Sequence, residues 1–169
     1  LAESATPQHR RLRQKLQTIQ RECGHLEQIV EEFLQFARTG TVDLQPVVLN
    51  DLVTEFLEIY RPTADEKRVE LMPHLAAQIG PTLLDRGLFR QALVNLSRNA
   101  VQAMPNGGRL EFFTYERDHW AVLELIDNGA GMDAATQARM FDAFFSTKNG
   151  GSGLGLPTVR KIVLAHGGE

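Results

Sequence analysis

Between Leu12 and Ala37, apolar or small residues fall at Leu12, Leu16, Ile19, Cys23, Leu26, Val30, Phe33 and Ala37, at steps that alternate strictly between four and three. So narrow and regular a seam predicts a helix of a coiled coil or bundle rather than one lying on a globular core. Thr6-Pro7 predicts its start, because the Thr can cap free amides and Pro suits the first helical position. Arg38-Thr39-Gly40 predicts its end. About 30 residues at 1.5 Å each make a rod of about 45 Å, and such a rod cannot bury its seam alone. The pattern predicts a bundle with another helix and with a second copy of the chain; the alternative is an amphipathic helix folded back on the rest of the molecule. Ile29, Leu34 and Phe36 widen the apolar face toward the C-terminal end, which predicts more than one helical neighbour there. Cys23, on the seam, reads as a small packing residue rather than a reactive thiol.

Residues 41–48 read as an extended linker, with Pro46 excluding helix. Asn50 is a candidate cap for a short helix to about Arg61, with Leu52, Val53, Phe56, Leu57 and Tyr60 on one face. Short strands are predicted at Val69 to Leu75 and Thr82 to Leu84. Asp85 can cap a helix whose stripe is Leu88, Phe89, Ala92, Leu93, Leu96, Ala100 and Ala103, and which ends before Pro105-Asn106-Gly107-Gly108. Arg109 to Arg117 and Trp120 to Ile126 form an antiparallel hairpin about Asp118-His119. Beyond Asp127 the chain is irregular and Gly-rich, until helical period returns from Leu156 to Ala165. The order predicts an α+β fold, a two-layer α/β sandwich with helices on one face of a mixed sheet.

The chain has 169 residues, 43% of them hydrophobic and 23% charged, and can bury a real core. A formal charge of −3 argues against a surface built for nucleic acid. A single cysteine cannot form an intrachain disulfide, which fits a reducing, cytoplasmic setting. No apolar run is long enough to span a bilayer, so no membrane contact is expected of these residues. The chain opens at Leu1 and stops on Gly167-Gly168-Glu169, which reads as a fragment of a longer protein.

Three stretches have spacings that packing alone does not demand. Asn95 and Asn99 are four apart on a helix, so both amides project on one face, and a neutral oxygen beside phosphates can take one position on Mg²⁺. In Asp127-Asn128-Gly129-Ala130-Gly131-Met132 the carboxylate can accept a hydrogen bond from an exocyclic amine, and the glycines allow close approach to a flat ring. Gly151-Ser152-Gly153-Leu154-Gly155-Leu156 opens the last helix with free amides, an anion site. It is neither a dinucleotide fingerprint nor a P-loop, since no βαβ unit surrounds it and no Gly-Lys-Ser/Thr follows.

In this order, with Met140 to Lys148 between the last two, the set resembles the ATP-binding domain of sensor histidine kinases, within the wider family of gyrase, Hsp90 and MutL. Asn95 to Ala100 matches its N box, Asp127 to Met132 the G1 box, Phe141 to Lys148 the F box and Gly151 to Leu156 the G2 box. Phe-Phe-Ser-Thr-Lys followed by Gly-Ser-Gly-Leu-Gly-Leu-Pro-Thr-Val-Arg-Lys-Ile is similar to the nitrogen-regulation sensors. Glu22 to Arg38 resembles the second helix of the family's dimerisation and phosphotransfer hairpin. The resemblance divides the chain into residues 1–40, part of that hairpin, and residues 49–169, the ATP-binding domain. It implies that Asn99 holds Mg²⁺ with Asn95 beside it, that Asp127 reads adenine N6 and that Gly129 and Gly131 shape the purine pocket. The G2 segment, with Gly151, Ser152, Gly153, Leu154, Gly155 and Leu156, would cradle phosphates. Residues 133–150 would form a lid in which Lys148 reaches a phosphate while Phe141, Phe144 and Phe145 fasten it down. ATP and Mg²⁺ are the implied cofactors, and a second copy of the chain and a response-regulator receiver domain are the implied partners.

ATP-hydrolysing relatives carry a Glu four residues before the Mg²⁺-binding Asn, as the base that activates water. Here that position is Asn95, so the resemblance implies ATP held for transfer to a protein nucleophile. The family's His-Glu/Asp-x-x-Asn/Thr-Pro acceptor box is absent from these residues: His25 is followed by Leu26-Glu27, and His9, His74, His119 and His166 have no such context. The acceptor is expected upstream of Leu1, with the hairpin loop at about Glu3 to Gln8 and two closing strands beyond Glu169. The rival readings are an ATP-gated dimerisation module that never transfers phosphate, and a serine-directed kinase of the same fold.

Overall fold

A computed structural model describes residues 7–37, 42–148 and 150–169. Helix α1 (Pro7–Ala37) is a single 31-residue rod. Its expected capping Thr6 and terminating residues 38–40 lie outside the described residues, as does the side chain of His25. The seam is bare: Leu12, Leu16, Ile19, Leu26, Val30 and Phe33 are between 47% and 61% exposed, and Cys23 is exposed with them. The helix does not fold its seam back onto the rest of the chain.

The predicted linker is in part a strand, because β1 (Gln45–Val47) pairs antiparallel with β3 (Thr82–Leu84). Pro46 misled the sequence reading: a proline is compatible with a strand that has a neighbour on one side only. Helix α2 (Leu49–Glu66) begins one residue before Asn50, and its cap is Val48, without a side-chain bond. Asn50 instead donates from Nδ2 to the Ala76 carbonyl at 2.7 Å and accepts from Thr114 Oγ1 at 2.6 Å, pinning the helix to the end of the sheet. The helix also runs past Arg61 through Pro62, carried on by the packing of Ala64, which is fully buried. A buried contact outweighs the carbonyl that Pro62 leaves without its usual donor.

Strand β2 (Val69–Leu75) lies parallel to β4 (Gly108–Arg117), which pairs antiparallel with β5 (Trp120–Asp127), a mixed sheet in the order β2-β4-β5. The hairpin turns on Asp118 and His119, both at positive φ, the geometry that matches the twist of the flanking strands. Pro73 is tolerated because β2 is at the edge. Along β4, alternation puts Leu110, Phe112 and Thr114 on the buried face. Leu110 and Phe112 pack with Leu52, Val53 and Phe56 of α2 and with Leu93, Ala100 and Val101 of α3 (Arg86–Ala103). Each fully buried Leu or Phe contributes about 1.5–3 kcal/mol relative to exposure, so this layer holds the domain together. The other sheet face carries polar contacts such as that of His74 Nε2 with Glu111 Oε2 at 3.0 Å.

Asp85 caps α3 as expected, its Oδ1 accepting from Leu88 N–H at 3.0 Å. Helix α5 (Gly155–Ala165) packs on α3 through Val159 and Ile162 against Ala92. The segment between β5 and α5 is not wholly irregular: α4 (Ala134–Arg139) interrupts it, capped by Asp133.

Candidate functional site

Helix α3, the end of β5, the lid segment and the start of α5 enclose a cavity of about 550 Å³. Its floor is apolar, with Leu96, Ala100, Leu110 and Leu125, and Met132, Met140 and Phe145 close the sides. A flat aromatic ring can be buried there.

Polar groups line it as well. Asp127 is one of them, and its Oδ1 accepts from Gly129 N–H at 2.9 Å. The turn is then tied down by Ala130 N–H, which donates to the Ala103 carbonyl at 3.1 Å. Gly129 is dictated by this packing, since a Cβ there would meet Ala103 Cβ at 2.7 Å and its carbonyl at 2.8 Å. It therefore shapes the pocket from behind, whereas Gly131 lines it directly.

Asn99 and Lys148 both line the cavity too. Lys148 Nζ donates to Gln102 Oε1 at 2.7 Å and to Asn99 Oδ1 at 3.4 Å. Desolvation pulls the Lys148 ammonium below the ordinary lysine range; Arg98 adds to the shift and Asp127 opposes it. Gln102 is a polar cavity residue that the motif reading passed over, and its place one helical turn beyond Arg98 and Asn99 was the available signal.

Asn95 is only 9% exposed and stands behind the wall rather than on it. It still converges with Asn99 on the start of α5: a Cβ on Gly155 would lie 3.7 Å from Asn99 Nδ2 and 3.9 Å from Asn95 Oδ1. Gly151, Ser152, Gly153, Gly155 and Leu156 also line the cavity. Leu154 does not; it is buried in the fold and serves as the N-terminal neighbour of α5. Gly153 has φ +68°, and a Cβ would lie 2.5 Å from the Phe144 backbone, so only glycine fits. Its carbonyl accepts from Phe144 N–H at 3.1 Å, joining lid and G2 loop.

The three expected lid anchors behave differently. Phe145 enters the cavity wall under Arg139, 4.1 Å from the ring centroid, and Phe141 lies 5.4 Å from Arg160 on α5. Phe144 is 66% exposed at φ +65°, so its backbone holds the loop while its ring faces solvent.

An apolar slot wide enough for a ring is thus lined by a carboxylate, side-chain amides, a lysine and a helix N-terminus on an α/β sandwich. The chain matches the family described as histidine kinase-, DNA gyrase B-, and HSP90-like ATPase over residues 84–169, and it belongs to that family. It is 34% identical over 155 residues to the signal transduction histidine-protein kinase AtoS of Escherichia coli (strain K12), covering 91% of this chain and 26% of that protein. Full-length ShkA, crystallised in complex with AMPPNP, superposes with a TM-score of 0.78 at 29% identity over 92% of this chain and 34% of that one. ThkA, solved in complex with the response regulator protein TrrA, has the same fold, with a TM-score of 0.76 at 22% identity over 99% of this chain and 47% of that one. The chain spans about a quarter of the length of AtoS. Among the described residues no helix is long and apolar enough to cross a membrane.

Proposed function

We propose that this chain is the catalytic portion of a sensor histidine kinase of the nitrogen-regulation-sensor type, which holds Mg-ATP so that its γ-phosphoryl passes to a histidine and then to an aspartate of a response regulator. The observation that carries the reading is one cavity lined by Asp127, Asn99, Lys148 and the glycine loop that opens α5. Asp127 accepts the adenine amine, the apolar floor takes the ring, and the amides at the start of α5 face the phosphates.

The donor set fits magnesium in one way. Among the described residues no cluster of three or more His, Cys, Asp or Glu could hold a metal alone. A cation here relies on nucleotide phosphates, water and one protein oxygen, which Asn99 Oδ1 supplies. When bound, the ion would neutralise phosphate charge. Asn95 gives no carboxylate to activate water, which favours transfer over hydrolysis and separates this site from gyrase-type ATPases. The bare seam of α1 supports a homodimer, and the AtoS and ThkA relationships support a receiver-domain partner.

The test incubates γ-labelled ATP with the full-length protein and with its Asn99→Ala variant. Acid-labile, base-stable label that disappears in the variant is expected. Acid-stable label, or labelling that survives Asn99→Ala, defeats the assignment. The 169-residue chain alone is expected to bind nucleotide without labelling itself.

A further inference from the structure

Helix α1 touches the nucleotide-binding unit through one face. Ile29 and Glu32 line the cavity, Gln35 Oε1 accepts from Gln91 Nε2 at 3.0 Å, and the Phe36 carbonyl accepts from Lys161 Nζ at 2.9 Å. The same Lys161 ammonium stands 5.1 Å from the Phe36 ring centroid. These spacings place the four residues on one stripe, turned away from the bare seam.

Glu32 is the centre of that stripe, with a side chain only 14% exposed. Its Oε1 meets Arg98 Nη2 at 2.7 Å, and its Oε2 accepts a hydrogen bond from Ser152 Oγ. Both partners belong to the phosphate end of the cavity. Arg98 precedes Asn99 on α3, and Ser152 lies in the glycine loop, where its hydroxyl also accepts from Leu154 N–H at 3.2 Å. The charged residues of the lining are Arg98, Lys148, Asp127 and Glu32. With Glu32 docked, two cations face two carboxylates, and the attraction for a polyanion is cancelled. With Glu32 withdrawn, the balance is positive and the Ser152 hydroxyl and Arg98 guanidinium are free to meet phosphate oxygens.

From this the geometry points to an intramolecular latch: the Glu32 carboxylate of α1 occupies the partners of the terminal phosphate, so docking of α1 in this pose and binding of a nucleoside triphosphate oppose each other. The inference rests on the nucleotide reading above and adds a coupling between the helical rod and the phosphate loop. The contact is built from one ion pair, a few hydrogen bonds and the Lys161–Phe36 ring contact, and no described α1 residue joins the buried apolar clusters, so it can open without unfolding either part. Because the opposition acts at the phosphate end, a diphosphate feels it less than a triphosphate. Linkage makes the effect reciprocal: triphosphate loosens α1 to the degree that α1 weakens triphosphate.

The test measures binding of a non-hydrolysable ATP analogue and of ADP, both with magnesium, to the 169-residue chain and to its Glu32→Gln variant, which keeps the shape and removes the charge. The variant is expected to bind the analogue at least about fivefold more tightly, with a smaller change for ADP. A second readout places Gln35→Cys and Gln91→Cys in a Cys23→Ser background and follows cross-linking by a short bis-maleimide. Cross-linking is expected without nucleotide and is suppressed by the saturating analogue. Analogue binding that is equal or weaker in Glu32→Gln, or cross-linking that the bound analogue leaves untouched, overturns the latch while leaving nucleotide binding intact. Failure of both chains to bind either nucleotide overturns the nucleotide reading, and the latch with it.

Discussion

Asp127 and Lys148 line the same cavity, and each carries a separable expectation. Asp127 spends one oxygen on Gly129, so its carboxylate is held in place before any ligand arrives. Asp127→Asn can keep that turn and one acceptor oxygen, but it loses the charge that roughly doubles a hydrogen bond's strength and gains an amine suited to guanine O6. Competition between ATP and GTP should show the adenine preference narrowing about tenfold; an unchanged ratio would remove Asp127 from base recognition. Lys148 titrates below its ordinary range because its ammonium is desolvated and faces Arg98. A phosphate beside it favours the charged form and raises that pKa again. The bound state thus holds more protons than the free state at alkaline pH, so nucleotide binding takes up protons there and affinity falls as pH rises through the free-state pKa. Calorimetry in alkaline buffers of different ionisation enthalpy reads this uptake, and Lys148→Met should abolish it.

At the scale of elements, Asp85 joins four parts of the fold. Its Oδ1 caps α3 and its Oδ2 accepts from Asp43 N–H at 3.2 Å, while its own N–H donates to His166 Nε2 at 2.9 Å at the end of α5. The bond to Leu88 is the main cause that holds its carboxyl below the usual range; desolvation opposes it, and the Asp43 and Gly87 amides add to it. A carboxylate depressed in the folded state stabilises above its unfolded pKa, about 3.9, and that contribution is lost as pH falls through the folded value. Asp85→Ala should cost about 1 kcal/mol at neutral pH, and less in acid, read by denaturant unfolding. This cap was legible from sequence because its signal is local, as were the hairpin, the β2 and β3 spans and the glycine loops. What escaped was set by distant partners. Asn50 looks like a cap, yet Thr114 and the Ala76 carbonyl claim its amide. Strand β1 exists only because β3 pairs with it, and Phe144 looks like an apolar anchor until the Gly153 bond turns its ring outward. Glu32 carries no motif, and Gln102 offers only its place one helical turn beyond Arg98 and Asn99; the assembled cavity brings both into view.

For the molecule as a whole, the seam of α1 and the nucleotide cavity are independent structures. Six large apolar side chains, each about half exposed on one chain, would contribute about 1 kcal/mol apiece on burial, or about 10 kcal/mol across two copies. Association itself costs about 4–15 kcal/mol, so the isolated rod supports a concentration-dependent dimer rather than a permanent one. Among the described residues of α1, Ile29 and Glu32 reach the cavity lining, from the face turned away from the seam. Leu26→Asp places a charge on the seam without touching that lining. Sedimentation should show the parent chain shifting toward dimer as concentration rises while the variant stays monomeric, and nucleotide affinity should differ less than about twofold between them. Loss of binding in the monomeric variant would mean that a second copy completes the site, and the cavity could no longer be treated as the property of a single chain.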